Sequence, residues 1–466
     1  MKQFAVSFLF AFCSAAVFAA GVLDSPAVPG EFWRAPNLDS YASAAISRAE
    51  PLHFPSLAAL TDHALRTRPE SRAAWLSAQA ESARLDAASA ANWPTLTGQF
   101  NFTQSRALSS SGASVPTLNR YGPSLSLAYV LFDFGARASG VSAQRYQLMA
   151  SLLNNNRVLQ DVAAEVEAAF YGARAAQSQV TAQAAQEAAL RTSLAAVEGR
   201  LRGGLAARAD QLRARAALAE ATLARQAAER DHEKALAGLK QTAGISQMQT
   251  LVLDWQSAPP APPEAALLLA DLLDEAQRQR PDLRALQATA ASARAEADRA
   301  RAARWPSVGL SANTGRTFFL DDTRAPSTTH NVGVTLSVPL FDGGRLAADA
   351  RAATREAERV QAEADVQQAL IARAVAEAYY DVRHAQQQRE GVALQFESAD
   401  ESARAAQARY SAGVGSLLEL LTAQADLARA RTASATADTD WFAAFSRLNH
   451  ALGRLPVSAD ISGKQP

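Results

Sequence analysis

The chain has 466 residues, with 46 lysines and arginines against 46 aspartates and glutamates, so its formal charge at neutral pH is zero. That balance excludes a basic nucleic-acid groove or a polybasic membrane-surface patch as the main device. Length alone allows two or three domains, and a single cysteine excludes a disulfide framework or a cysteine-rich metal site.

The beginning has the form of an export signal. Lys2 gives a positive start, Phe4 to Val17 is apolar, and Val17-Phe18-Ala19 is a small-residue cleavage pattern, which predicts cleavage near Ala19. Cys13 lies inside the apolar segment behind Phe12, where a lipid-anchoring signal would need a small residue. The mature chain is then expected to carry no thiol. Residues 20–55 read as irregular, with Pro26, Pro29, Pro36, Pro51 and Pro55. A short helix is expected from about Ser56 to Thr67. A second starts at Pro69, well placed in a first turn, and stops near Asn92 ahead of Pro94.

From there the pattern changes period. Leu96, Gly98, Phe100 and Phe102 interleave with Thr95, Thr97, Gln99, Asn101 and Thr103, and Leu125, Leu127, Tyr129 and Leu131 with Ser124, Ser126 and Ala128. Period-two alternation predicts two strands, each with two unlike faces; a polar loop containing Ser109, Gly112 and Pro116 joins them. A long helix follows from Ala136 to about Leu201. It breaks at Arg202-Gly203-Gly204 and resumes from Ala207 to Ala243. Residues 245–264, with a proline cluster at Pro259 to Pro263, read as a linker.

The programme then recurs: a short helix before Pro281, a helix to Arg304, two strands around a loop at Asp321 to His330, and a long helix from Gly344 to Tyr410. A break at Gly413 and a last helix ending near Gly453 complete it. Pro69 and Pro281, like Trp93 and Trp305, stand 212 residues apart. Phe132 and Phe341, Gly204 and Gly413, and Gly244 and Gly453 stand 209 apart. A constant offset over more than a hundred residues marks a duplication. The chain therefore divides into a signal (1–19), an N-terminal segment (20–68), a first repeat (69–244), a linker (245–264), a second repeat (265–453) and a tail (454–466).

No apolar run is long enough for a transmembrane helix, so a membrane-spanning form would have to use strands. Four strands cannot close a membrane barrel, which needs about eight, and open edges are not tolerated in lipid. Closure between chains, hence an oligomer, follows. Trp93, Phe132, Trp305 and Phe341 all stand where strand meets helix and would form an interfacial aromatic girdle. The alternative is that these rings pack a globular core. The alanine-rich helices suit a wall with water on both sides better than a wide apolar core stripe.

The order and spacing of Ala64-Leu65, Pro69-Glu70, Leu131-Phe132-Asp133-Phe134-Gly135, Val338-Pro339-Leu340-Phe341-Asp342-Gly343-Gly344, Arg409-Tyr410-Ser411-Ala412-Gly413 and the run Leu421 to Leu427 resemble the TolC-like outer membrane efflux proteins over nearly the whole mature chain. The resemblance implies a mixed architecture, a twelve-stranded outer-membrane β-barrel continued by a periplasmic α-barrel of long coiled-coil-like helices. It is closed as a homotrimer, with four strands and two structural repeats per protomer. It implies a periplasmic adaptor protein and an inner-membrane pump as partners, outer-membrane lipid around the barrel, and no nucleic acid, cofactor or metal. By position it implies a periplasmic gate at Asp210, Tyr410 and Glu419. Gly415 and Thr422 stand where the family often has a base and a second acid, and Arg208 is a candidate for the missing cation. Asp210 and Glu419 are equally explained as first-turn carboxylates favoured by the helix dipole. Efflux of small toxic compounds is the function expected; the alternatives are the outer-membrane part of a one-step (type I) protein secretion system and, more distantly, a periplasmic adaptor or scaffold. An enzyme is not expected, because the six histidines are scattered and no phosphate-binding loop, dinucleotide fingerprint or nucleophile elbow is present.

Overall fold

The computed structural model describes residues 51–106, 117–253, 268–320 and 324–454. The elements run β1 (Leu52–Phe54), α1 (Leu57–Thr67), α2 (Pro69–Ser89), β2 (Thr95–Ser105), β3 (Leu118–Phe132), α3 (Ala136–Arg202), α4 (Arg208–Thr242), β4 (Leu251–Leu253), then α5 (Leu269–Gln279), α6 (Pro281–Ala302), β5 (Ser307–Phe319), β6 (Ser327–Ser337), α7 (Arg345–Ser411) and α8 (Leu417–Leu452). The expected signal, the loop at Ser109 to Pro116, the proline cluster and the tail beyond residue 454 lie outside the described residues.

The two halves use the same terminators. Asp133 Oδ2 accepts the Arg137 backbone N–H at 2.9 Å, and Asp342 Oδ2 accepts that of Leu346 at 2.7 Å. Each aspartate thus satisfies an orphan donor at the start of a long helix, with Gly135 and Gly344 in left-handed conformations at φ +88° and +87° just before it. Here lies the physical content of the Phe-Asp-x-Gly motif. α3 and α7 are both 67 residues, about 100 Å at the rise of a helix. At the other end of each half, Gly244 and Gly453 also have positive φ. A Cβ on Gly244 would meet the Thr67 hydroxyl at 2.8 Å, and one on Gly453 the Arg280 Cα at 3.0 Å. The glycines let the ends of α4 and α8 settle on the residues just before Pro69 and Pro281.

Packing is divided among small cores along the helices. α1, α3 and α4 bury Leu60, Val166, Phe170 and Leu239; α5 to α8 bury Leu272, Leu283, Ile371, Val375 and Leu448. Between them, long stretches meet through alanine, as at Ala143, Ala150, Ala221, Ala228, Ala357 and Ala364. Small side chains allow close helix approach over lengths that no continuous apolar stripe covers. α3 also touches α8 through polar groups. The Ser446 hydroxyl donates to Glu167, and His450 Nε2 lies 2.9 Å from Asp161 Oδ1.

β2, β3, β5 and β6 form one antiparallel sheet in that order. Thr95 pairs with Ala128, Ala128 with Ser311, and Ser311 with Gly333. The β3–β5 ladder skips Gly122 and Pro123, as a proline without an N–H requires.

Two expectations are corrected. The stretches taken as irregular and as linker contain β1 and β4, which pair in parallel, Leu52 with Leu251 and Phe54 with Leu253. Three-residue strands carry no readable period, and their partners lie far apart in sequence. The loop expected to run to His330 ends earlier, since Ser327 to His330 already pair with Thr317 to Thr314. The composition there is that of a loop, and the ladder to β5 overrides it.

Two outcomes follow. Burial holds the Glu167 carboxyl above its ordinary value, with Ser446 and His450 partly offsetting it. A carboxyl raised in this way contributes its stability below the unfolded value near pH 4.5 and loses it as pH rises through the folded value. Glu167→Gln keeps an acceptor for Ser446. Its unfolding free energy relative to wild type, followed by denaturation, is expected to rise from below pH 4.5 to mildly alkaline pH by about 1.4 kcal/mol for each unit of upward shift. In the sheet, a Cβ on Gly122 would lie 1.8 Å from the Arg316 carbonyl oxygen. Gly122→Ala is expected to force β3 from β5 at a cost of at least about 1–3 kcal/mol, seen as loss of the heat-modifiable folded form on gels.

Candidate functional site

The sheet has one apolar and one polar face. Leu96, Leu127, Ala312 and Val332 form one apolar row, and Tyr129, Leu310 and Val334 another. On the opposite face, Thr95, Ala128, Ser311 and Gly333 run between these rows, and Thr97, Ser126, Asn313 and Asn331, then Gln99, Ser124, Gly315 and Thr329, run beyond the Leu127 row. At the end far from the helices, Phe102, Tyr121 and Phe318 share a row, and Tyr121 stacks on Phe318 at 5.3 Å between centroids. This outer aromatic group was not singled out from the sequence, although Phe100 and Phe102 stood in the alternation. A β-sheet with one lipid-like face, one wet face and aromatics near both ends is the wall of a membrane barrel.

At the helix end of the sheet, Trp93, Phe132, Trp305 and Phe341 are all more than half exposed in the protomer, so they do not pack a globular core. Phe134, at a positive φ of 51° where the second half has Gly343, stacks on Trp305 at 5.6 Å and meets Phe132 edge-on at 4.8 Å. A bulky residue in the left-handed region is strained, and these two ring contacts hold it there. Trp93 differs from the other three. It lines a cavity of about 290 Å³ with Thr95, Ala128, Val130, Gly309, Ser311 and Thr335 of the polar face, together with Ala91, Tyr129 and Leu310.

The second part of the site is at the far ends of the long helices, where α3 turns into α4 and α7 into α8. Gly204 and Gly413 have φ of +73° and +81°. The N–H groups of Leu205 and Val414 bond back to the Arg200 and Arg409 carbonyls at 2.8 and 3.0 Å, the left-handed helix stop. Ser416 then caps α8, its hydroxyl accepting the Glu419 N–H at 3.1 Å. A Cβ on Gly415 would come within 3.0 Å of the Tyr410 nitrogen and the Arg409 Cβ, so a basic side chain has no room there without movement.

The residues singled out from sequence meet partners that the sequence did not name. Glu419 pairs with Arg409 at 3.1 Å, inside the α7–α8 hairpin. Asp210 has its one ion pair among the described residues with Arg213, at 3.7 Å. Arg208, the candidate replacement cation, donates to Gln211 instead; Arg409 takes that place beside Glu419. Thr422 turns its hydroxyl to the Leu418 carbonyl, 2.8 Å away in its own helix. Tyr410 is buried among Val197, Leu417 and Leu420. Arg200, on α3, donates through Nη1 to the Tyr410 carbonyl at 2.6 Å and lays its guanidinium 4.8 Å over the Tyr410 ring. Burial raises the Tyr410 phenol above its ordinary value; Arg200 opposes this and Asp210 adds to it. Arg200 and Arg409 are equivalent by the 209-residue offset, yet one crosses between hairpins and the other stays within its own. That offset was the one signal able to point to Arg200.

The outer membrane efflux protein family profile matches residues 60–245 and 272–454. The chain is 32% identical over 408 residues to protein CyaE of Bordetella pertussis, covering 85% of this chain and 84% of that one. It is 26% identical over 362 residues to the alkaline protease secretion protein AprF of Pseudomonas aeruginosa, covering 74% of each. The solved structure of the outer-membrane channel OprN is similar in fold, with a TM-score of 0.75 at 23% identity, covering 91% of this chain and 98% of that one. The chain thus belongs to the outer membrane efflux protein family, a family of outer-membrane channels that reach into the periplasm and not of enzymes.

Proposed function

We propose that the protein is a homotrimeric export channel, each protomer built of two repeats (69–244 and 265–453), working with a periplasmic adaptor and an inner-membrane pump. One observation carries this reading: a two-faced sheet whose outer strands, β2 and β6, have no strand partner on their far sides among the described residues. An eleven-residue strand is long enough to span the hydrocarbon, and its free N–H and C=O groups must find partners there. Pairing β6 of one copy with β2 of the next supplies them. Two copies would give eight strands and three twelve; the choice of three rests on the family resemblance. Mass measurement of the detergent-extracted protein is expected to give three chains. A monomer that stays folded would overturn the reading.

The gate is assigned to the hairpin ends, with Asp210, Tyr410 and Glu419 around the constriction and Arg200 as the tie between α3 and α7. Arg200 acts through the Tyr410 carbonyl and ring face, so Tyr410→Phe alone keeps the tie. Arg200→Ala removes a charge-assisted bond worth about 1.5–3 kcal/mol and is expected to raise the open fraction in planar bilayers roughly tenfold or more. Adding Asp210→Ala to Tyr410→Phe is expected to raise conductance as well. Equal closed-state currents in Arg200→Ala and wild type would remove the gate from this end.

For cargo, the likeness to AprF, a protein named for the secretion of alkaline protease, favours a secreted polypeptide. Efflux of small toxic compounds rests on the description of the family. A strain lacking the gene separates them. Loss of one large protein from the culture supernatant, with unchanged dye and bile-salt susceptibility, is expected for secretion; hypersensitivity reversed by complementation would move the assignment to efflux.

A further inference from the structure

The Trp93 cavity lies on the wet face of the sheet. Its floor is two neighbouring rows of the ladder: Thr95, Ala128 and Ser311 in one, Val130, Gly309 and Thr335 in the next. All six belong to the polar face; only Tyr129 and Leu310, among the lining residues of the strands, belong to the apolar one. Small residues in both rows leave the space open, and three hydroxyls at its edges offer hydrogen bonds. An interfacial anchor would instead lie against the apolar rows, beside Val334 and Leu336, neither of which lines the cavity. The volume is at or just below the lower limit for drug-sized pockets, suited to one flat ring system. An indole more than half exposed beside a floor of small residues and hydroxyls offers a large aromatic surface.

We infer that Trp93 is a cargo-facing station at the periplasmic mouth of the β-barrel, where planar aromatic groups of the exported material stack in transit. The inference rests on the pore reading above. The shared chemistry is a flat ring, carried either by an aromatic side chain of an unfolded polypeptide or by a small planar compound. Stacking of this kind tolerates many sequences, because every such ring has a π-face. It slows the cargo at the entry to the barrel without specifying it.

The test uses the full chain in planar bilayers. With Cys13→Ser in the background, Trp93→Cys provides one reporter thiol. A charged, water-soluble methanethiosulfonate is expected to lower its single-channel conductance in discrete steps and to leave the Cys13→Ser channel unchanged. A thiol that does not react, or that reacts without changing the current, places residue 93 against lipid or a neighbouring protomer and overturns the inference. Absence of any conductance in the unaltered protein would instead fail the pore reading, so the two failures are distinguishable. Ring recognition is then read from blockade lifetimes with two probes, ethidium and an unstructured tryptophan-containing peptide. Trp93→Ala is expected to shorten the blockades by about fivefold or more, in line with aromatic pair strengths, and Trp93→Tyr to restore them. An effect confined to the peptide identifies polypeptide cargo, and one confined to ethidium identifies small planar cargo. Lifetimes unaltered by Trp93→Ala for both probes overturn the station.

Discussion

A backbone N–H or C=O in hydrocarbon must find a partner, and the four-stranded sheet cannot provide one for its own outer strands. Among the described residues, Thr95 to Ser105 and Ser327 to Ser337 each have a strand partner on one side only. The cost of an unpaired group in lipid is several kcal/mol, so eleven-residue edges would overwhelm a folding free energy of ordinary size. Nearly every other feature serves the assembly this constraint demands. The apolar rows take one face of the sheet, the hydroxyl and amide rows the other, and aromatic rings stand near the two ends of the strands. The Asp133 and Asp342 caps turn the chain from strand to helix in register, so that each pair of strands arrives at the membrane on a stiff support.

The helices meet a different requirement. A wall one helix thick has water on both sides, so apolar burial is limited to seams. The cores are accordingly few and separate, around Phe170, around Ile371 and around Tyr410, with alanine contacts and surface Arg–Glu pairs between them. Exposed ion pairs such as Arg373 with Glu377 add little each but keep the faces soluble. Polar contacts between α3 and its neighbours differ in kind, because they join separate helices. Glu167 with Ser446 near the middle of α3 and Arg200 with Tyr410 at its end tie the two halves of the protomer at widely separated heights.

The two copies of the repeat share elements and diverge in detail. Phe134 occupies a strained backbone position that Gly343 fills freely, and Trp305 and Phe132 hold it there. Arg200 and Arg409 begin from equivalent places and reach different partners. Trp93 and Trp305 open equivalent strands; one lines the wet-face cavity and the other stacks on Phe134. Divergence at equivalent positions is where asymmetric function is built onto a symmetric frame.

Periodicity made the long elements legible. A period of two gave the strands, alanine-rich runs between glycines gave the helices, and the constant offset gave their recurrence, because these signals extend over ten residues or more. β1 and β4 stayed hidden, being three residues long and paired across a great stretch of chain. The partner of Tyr410 stayed hidden because it lies 210 residues away in the chain, and Arg200 reads in sequence as one more surface arginine. The face on which Trp93 lies was likewise undetermined, since residues before a strand do not inherit its alternation. The sequence by itself determined element types and lengths, because backbone hydrogen bonding and side-chain period are local properties. Which side chains meet across elements at the hairpin ends and at the helix end of the sheet was decided only by tertiary structure, because those contacts depend on how helices and strands distant in sequence are brought side by side.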